Sequence, residues 1–397
     1  MRILQLCNKP PLPAIDGGCL AMHSITEGLL ESGHEVKVFA ITTKKHPLVK
    51  EKFPADYEIK TSFETVFIDT KVKATAALKN LFSDSSLNIE RFHSAEAEKK
   101  ITEILEKEKF DVIILESVYM SPYIDVVRKH SQAKVVLRAH NVEHILWERR
   151  AQEEKDLLKR KWYNSLAKKM KAAELHSLKE VDALLPITES DAKIFAQSAK
   201  LPSSVIPFAV RTRTDQSGNP IVAKTVFHIG AMDWDPNILG MQWFVKEVWP
   251  LVLEQEPEAA LHLAGKALDR NDKHYSGKNI FNHGEVDSAE KFTERFAVMI
   301  VPLQSGGGLK IKIVEALNAG KVIVTTSIGA EGTGIVNGVH GIIADEPSAI
   351  ANGISSLMKD GELYAKISAN AKVLAEENFS LRAVTNKMIK FFGTLTK

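Results

Sequence analysis

Short apolar runs alternate with longer amphipathic stretches from one end of the chain to the other. This is the pattern of parallel strands joined by crossover helices. In the first half, residues 2–7, 35–41, 112–115, 134–138 and 183–186 predict strands, and 205–208 predicts a short last one. Helices are predicted over 20–32, 95–108 and one long stretch, 145–179. Residues 211–220 are polar, turn-rich and aperiodic, the core of a linker over 209–224. The alternation then restarts, with strands at 225–229, 260–264, 279–282, 298–301 and 322–325 and helices from Asn237, near Ser288 and through Glu315. Three helices, 348–359, 362–376 and 381–392, close the chain. The expected architecture is α/β: two Rossmann-like, doubly wound domains, 1–208 and 225–379, facing each other across a cleft, with the helix 380–397 returning to the first.

Composition narrows the function classes. The chain has 397 residues, 44% hydrophobic and 26% charged, enough for two cores of ordinary globular composition. Its net charge of +2 gives no reason to expect nucleic acid as a partner. Cys7 and Cys19 are the only cysteines, too few for a disulfide framework, and they fit a reducing cytoplasm. The apolar start is too short for a signal-peptide core, and no run approaches a membrane span.

The candidate chemistry lies where strands end. Prolines stiffen the loop after the first strand, and Gly17 and Gly18 then open a helix, where backbone amides reach a ligand at a positive N-terminus. The same residues also read as a turn and cap. Gly-x-Gly-x-x-Gly is absent and no acid ends the second strand, which disfavours a nicotinamide cofactor. The fourth strand exits into Arg138-Ala139-His140-Asn141-Val142-Glu143-His144, donors and acceptors suited to sugar hydroxyls, or a turn capped by Asn141. Most informative is 301–317, where a strand ends at Ser305-Gly306-Gly307-Gly308 and a helix starts with Lys310 and Lys312. Lysines there oppose the helix dipole unless an anion is present, so amides and ammonium groups together suggest a diphosphate cradle. Glu315 on the same helix suits a ribose hydroxyl.

Other signals are weaker. Asp233-Trp234-Asp235 has a metal–diphosphate spacing, but Asp235 or Asn237 capping a helix beside Pro236 explains it more simply. No metal or other cofactor is expected. Ser305 lacks a nucleophile elbow. Residues 155–179 carry eight Lys or Arg against two Asp or Glu, with Leu158, Trp162, Leu166 and Met170 at every fourth position. A core-packed helix with a solvated basic face explains this, and a surface for anionic lipid is the sharper reading. Residues 74–82, with Lys71, Lys73 and Lys79, are a second, weaker candidate of that kind.

The second half resembles the family 4 retaining glycosyltransferases of the GT-B fold. Phe227-His228-Ile229-Gly230-Ala231-Met232-Asp233-Trp234-Asp235-Pro236-Asn237 is similar to the opening of their second domain, and Leu261-His262-Leu263-Ala264-Gly265-Lys266 to the next strand and turn. Residues 301–332, including Glu315-Ala316-Leu317-Asn318-Ala319-Gly320-Lys321, resemble their donor-site signature, and Gly17-Gly18 and His140-Asn141-Val142-Glu143 extend the likeness into the first half. The resemblance implies a donor that is a nucleoside diphosphate sugar of UDP or GDP type, transferred with retention to a hydroxyl of a glycan or lipid-linked glycan. By position, Glu315 matches the second glutamate of the Glu-x7-Glu motif, which holds the ribose, while the first falls at Gly307. The resemblance further implies Lys266, Lys310 and Lys312 on phosphate and Gly17, Gly18, Ser305, Gly306, Gly307 and Gly308 around the donor. Gly284 and Glu285 would lie by the base, His140 near the donor sugar, and Arg138, Asn141 and Glu143 on the acceptor side. A cytoplasmic location follows, with peripheral contact at the inner membrane face left open. A non-hydrolysing nucleotide-sugar epimerase and a non-catalytic sugar-nucleotide-binding protein stay open as alternatives.

Overall fold

In a computed structural model, residues 1–72, 80, 83–212 and 222–396 are described. Most of the expected linker, and most of the 74–82 segment, lie outside them. The chain divides into two compact units, Met1–Ala209 with Val384–Lys397, and Val210–Ala383.

The first unit is built on β1 (Arg2–Cys7), β2 (Glu35–Thr42), β3 (Glu64–Phe67), β4 (Val112–Glu116), β5 (Lys134–Ala139) and β6 (Ala183–Pro186), ordered β3-β2-β1-β4-β5-β6. All five pairings are parallel. Both faces of the central strands are covered, so β1 and β4 read as nearly unbroken apolar runs. Its main helices are α1 (Gly17–Glu31), α2 (Glu143–Glu153) and α3 (Leu157–Glu180).

The second unit repeats the plan with β7 (Val222–Ile229), β8 (Ala260–Ala264), β9 (Ile280–Asn282), β10 (Phe296–Val301), β11 (Val322–Thr325) and β12 (Ile342–Ile343), ordered β12-β11-β10-β7-β8-β9. Successive residues of β10 serve opposite faces: Val298 and Ile300 join one apolar cluster, Met299 and Val301 another. Helix α4 (Asp235–Trp243) follows β7 and α5 (Ile311–Asn318) follows β10. The last helix, α6 (Leu381–Leu395), belongs to the first unit from Val384 onward.

Several expectations need correction. Residues 205–208 form no strand: Pro202 and Pro207 remove backbone donors, leaving an isolated bridge between Leu184 and Ser203 and one bond from Ile206 N to Pro186 O, 2.9 Å. The long helix over 145–179 is two, broken before Asp156, whose side chain caps α3 by accepting from Lys159 N. Strands β3 and β12 are additions, and α1 starts at Gly17 rather than Leu20. Neither Asp235 nor Asn237 is the N-cap of α4; Trp234 holds that place, Pro236 sits in the first turn, and Asn237 is committed elsewhere. In α3 the apolar stripe divides: Leu166 and Met170 are buried, while Leu157 and Leu158 are 68% and 79% exposed and Trp162 is also exposed. Among the described residues, no helix is long and apolar enough to cross a membrane.

Candidate donor and sugar sites

Doubly wound sheets bind ligands outside the carboxyl ends of their strands, where the strand order reverses. In the second unit that point lies between β7 and β10. Gly230 follows β7, Gly265 follows β8, Gly284 lies just beyond β9, and the three glycines follow β10. The crowding there is severe: a Cβ on Gly265 would stand 1.7 Å from Gly230 O, so no other residue fits. Gly306 and Gly308 have φ of 106° and 73°, a backbone path that side chains resist.

The turn delivers the chain into α5, whose N-cap is Lys310 and whose second residue is Lys312. Lys310 is buried, with its Nζ 3.7 Å from Glu331 Oε2. The Lys312 ammonium donates to Asn237 Oδ1 at 2.7 Å, so a helix after β7 and a helix after β10 are tied together across the reversal point. Burial, helped by the nearby Lys310 charge, brings Lys312 down to about 7. A desolvated ammonium at a helix start with no acid in its first turn is a site that an anion relieves. Glu315, two turns from the glycines, is exposed. Lys266 pairs instead with Asp233 at 3.2 Å, both at the surface, and Glu285 accepts from Ala267 N at 3.4 Å. Gly284 is fixed on two sides: its amide donates to Asn282 Oδ1 and its carbonyl accepts from Gly265 N.

In the first unit the reversal lies between β1 and β4. At α1 the N-terminus already carries a carboxylate: Asp16 accepts from Cys19 N at 2.9 Å and takes both Lys9 Nζ, at 2.6 and 2.7 Å, and His46 Nε2, at 3.2 Å. Burial works against that charge, but these bonds hold Asp16 well below the usual range. Gly18 leaves room for the Lys9 ammonium, which would stand 2.8 Å from a Cβ there.

Beside it lies a buried polar chain. Glu116 ends β4 directly opposite Arg138 of β5, and both are fully buried. Glu116 accepts from Gln5 Nε2 at 2.7 Å, Arg138 Nη1 at 3.1 Å and His140 Nε2 at 2.6 Å. Burial would raise Glu116, but Arg138 and His140 outweigh it and hold it at about 2. Burial lowers His140, so the ring is neutral; with the Nε2 proton given to Glu116, Nδ1 is left as acceptor. Arg138 therefore lies beneath the surface and orients His140's partner, rather than lining an acceptor surface. Glu143 is also buried, raised by that burial, and accepts from the Tyr119 hydroxyl at 2.8 Å and Asn141 Nδ2 at 3.4 Å.

Glu116, Gln5, Glu174 and His228 were not singled out from sequence. Each is a polar residue inside an apolar run or stripe: Gln5 between Leu4 and Leu6, Glu116 after Val112-Ile113-Ile114-Leu115, His228 between Phe227 and Ile229, and Glu174 four residues beyond Met170. Polar groups in such positions need partners, and that was the available signal.

Residues 223–360 match the family model Glycosyl transferases group 1. An uncharacterized 44.6 kDa protein in the cps region of Klebsiella pneumoniae is 24% identical over 98% of this chain and 99% of its own length. Among solved structures, sucrose-phosphate synthase from Thermosynechococcus elongatus is similar with a TM-score of 0.69 at 13% identity, covering 100% of this chain and 99% of that one. HepE from Anabaena, in complex with UDP and glucose, gives 0.64 at 12% identity, covering 98% and 99%. The chain thus has the GT-B fold, and its second unit matches the group 1 glycosyl transferases over residues 223–360.

Proposed function

We propose that the chain is a glycosyltransferase of the family 4 type. It moves a sugar from a UDP- or GDP-type donor to a hydroxyl of a glycan or lipid-linked glycan, with retention. The observation that carries this reading is the three-glycine turn at the carboxyl end of β10, which leads into an α5 start bearing a desolvated Lys312. Lys310, Lys312 and the amides of Gly306, Gly307 and Gly308 hold the diphosphate, with Ser305 and Lys266 at its edge. Exposed Glu315 takes the ribose hydroxyls, and the base rests by Gly284 and Glu285. In the first unit, the Gly17-Gly18 turn, His140, Asn141 and Glu143 serve the sugar and acceptor hydroxyls, with Arg138 acting through Glu116.

As the bond from the anomeric carbon to the phosphate oxygen breaks, charge collects on that phosphate, and preorganised ammonium groups and amides stabilise it. The acceptor oxygen bonds to the same face of the carbon, and its proton passes to the departing phosphate. The amides of Gly307 and Gly308 stand in for the glutamate that other family members carry at Gly307. A cytoplasmic location fits this chemistry, and the exposed Leu157, Leu158 and Trp162 beside Lys159 and Lys161 support peripheral contact with an anionic membrane face.

Product analysis tests this reading. The protein is incubated with UDP- and GDP-sugars, with and without glycan and lipid-linked glycan acceptors. Acceptor-dependent release of the nucleoside diphosphate, with a new glycoside of the donor's anomeric configuration, is expected. Donor rearranged without acceptor supports the epimerase instead. Tight donor binding without turnover supports the non-catalytic reading, to which Gly307 lends weight.

A further inference from the structure

His228 is an odd residue for a β-strand core. It sits in β7, only 1% exposed, and Nδ1 donates to Ile300 O of β10 at 2.9 Å. Burial, then the charge of Lys312, pushes its pKa far down, so the ring is neutral and Nε2 carries a lone pair. Among the described residues, that Nε2 has no hydrogen-bond partner. A buried acceptor without a donor is costly and needs a reason.

The reason lies over Gly230. A Cβ on that glycine would stand 2.9 Å from Asn237 Nδ2, 3.0 Å from His228 Nε2 and 3.1 Å from Lys312 Nζ. Three polar groups, from β7, α4 and α5, therefore converge on the bare Cα face of one residue. Asn237 is locked, because its Nδ2 donates to Ala231 O at 2.8 Å, which turns Oδ1 toward Lys312. A charged ammonium has three hydrogens. One goes to Asn237, and none reaches His228 Nε2 among the described residues; two remain, enough for the His228 lone pair that faces the same Cα and for a ligand oxygen.

We propose that His228 and Asn237 are positioning residues that hold the Lys312 ammonium over Gly230 and direct it at a phosphate oxygen of the donor diphosphate. This rests on the donor-site reading above and adds how that site controls its cation. The groups near the ammonium are His228 on β7, Asn237 on α4, and Lys310 at the start of α5 with its partner Glu331. With Lys312 near 7 when no anion is present, phosphate binding above neutral pH takes up a proton.

Calorimetric titration of the full chain with UDP and GDP, from about pH 7.5 to about pH 9, tests this, because nucleoside diphosphates are fully ionised there. Wild-type affinity is expected to fall with pH by up to about tenfold per unit, the limit for one linked proton. Asn237→Asp gives Lys312 a charged partner and is expected to flatten that slope. His228→Phe is expected to weaken binding about tenfold at neutral pH, and His228→Gln, whose amide can both donate to Ile300 O and accept from Lys312, to restore part of it. Wild-type affinity and slope in both Asn237→Asp and His228→Phe overturn the inference. If His228→Phe does not fold, the Asn237→Asp slope decides alone. Failure of wild type to bind either nucleotide at any pH overturns the donor-site reading, and the inference with it.

Discussion

Glu116 and Arg138 lie opposite each other at the ends of β4 and β5, sealed from water, and their pairing carries a consequence for stability. Removing one partner of a buried pair strands the other charge, at a cost of about 3–5 kcal/mol. Glu116→Gln is therefore expected to lower the melting temperature of the first unit by roughly 10 °C. Its pH signature is also defined. The folded value of about 2 lies below the ordinary 4.5, so the stabilisation is fully present above about 4.5 and is lost as pH falls toward 2. Melting scans across that window should show a steep wild-type decline that is shallower in Glu116→Gln; equal slopes would contradict the assignment. Sequence made His140, Asn141 and Glu143 visible because they crowd one strand end. It did not reveal Glu116, since its partners Gln5 and Arg138 come from other strands and only the fold aligns them.

At the scale of elements, strand positions were largely legible, because strands buried on both faces leave uninterrupted apolar runs. The short edge strands β3 and β12 left little such signal, and the prolines of 202–207 cancelled a run that looked like one. The break between α2 and α3 was hidden because residues 154–156, Glu-Lys-Asp, hold no glycine or proline to mark it. What fixes α2 is Glu174 of α3, which accepts from the amides of Glu143 and His144, both at 2.9 Å, and from His144 Nδ1 at 2.6 Å. A distant carboxylate thus caps α2 in place of a local side chain. Glu174→Ala should cost about 1–3 kcal/mol by leaving those donors unpaired, read as a lower midpoint in urea; an unchanged midpoint would show that the cap is dispensable. The exposed start of α3 makes a second prediction. Leu157, Leu158 and Trp162 beside Lys159 and Lys161 should sediment the protein with phosphatidylglycerol vesicles, less with phosphatidylcholine, and less again in high salt. The double variant Leu158→Ser, Trp162→Ser should stay in the supernatant; equal pelleting with both lipids, or by the variant, counts against membrane contact.

For the whole molecule, two sheets of the same strand order place their candidate groups at the same kind of location: the carboxyl edge, beside the order reversal. In the first unit that place is filled by the chain's own ion pairs. In the second it offers a three-glycine turn, a desolvated lysine held by Asn237 and an exposed glutamate. The donor reading therefore rests on the second unit, and the most direct measurement is a thermal-shift panel of UDP-, GDP- and ADP-sugars without metal, on wild type and Glu315→Ala. Glu315 is on the surface, so its replacement should leave the chain folded, which the unliganded melting temperature checks. One nucleotide class is expected to raise the wild-type melting temperature, and Glu315→Ala is expected to lose this shift. A well-folded wild type that no donor stabilises, or a shift that survives in Glu315→Ala, would contradict the donor reading.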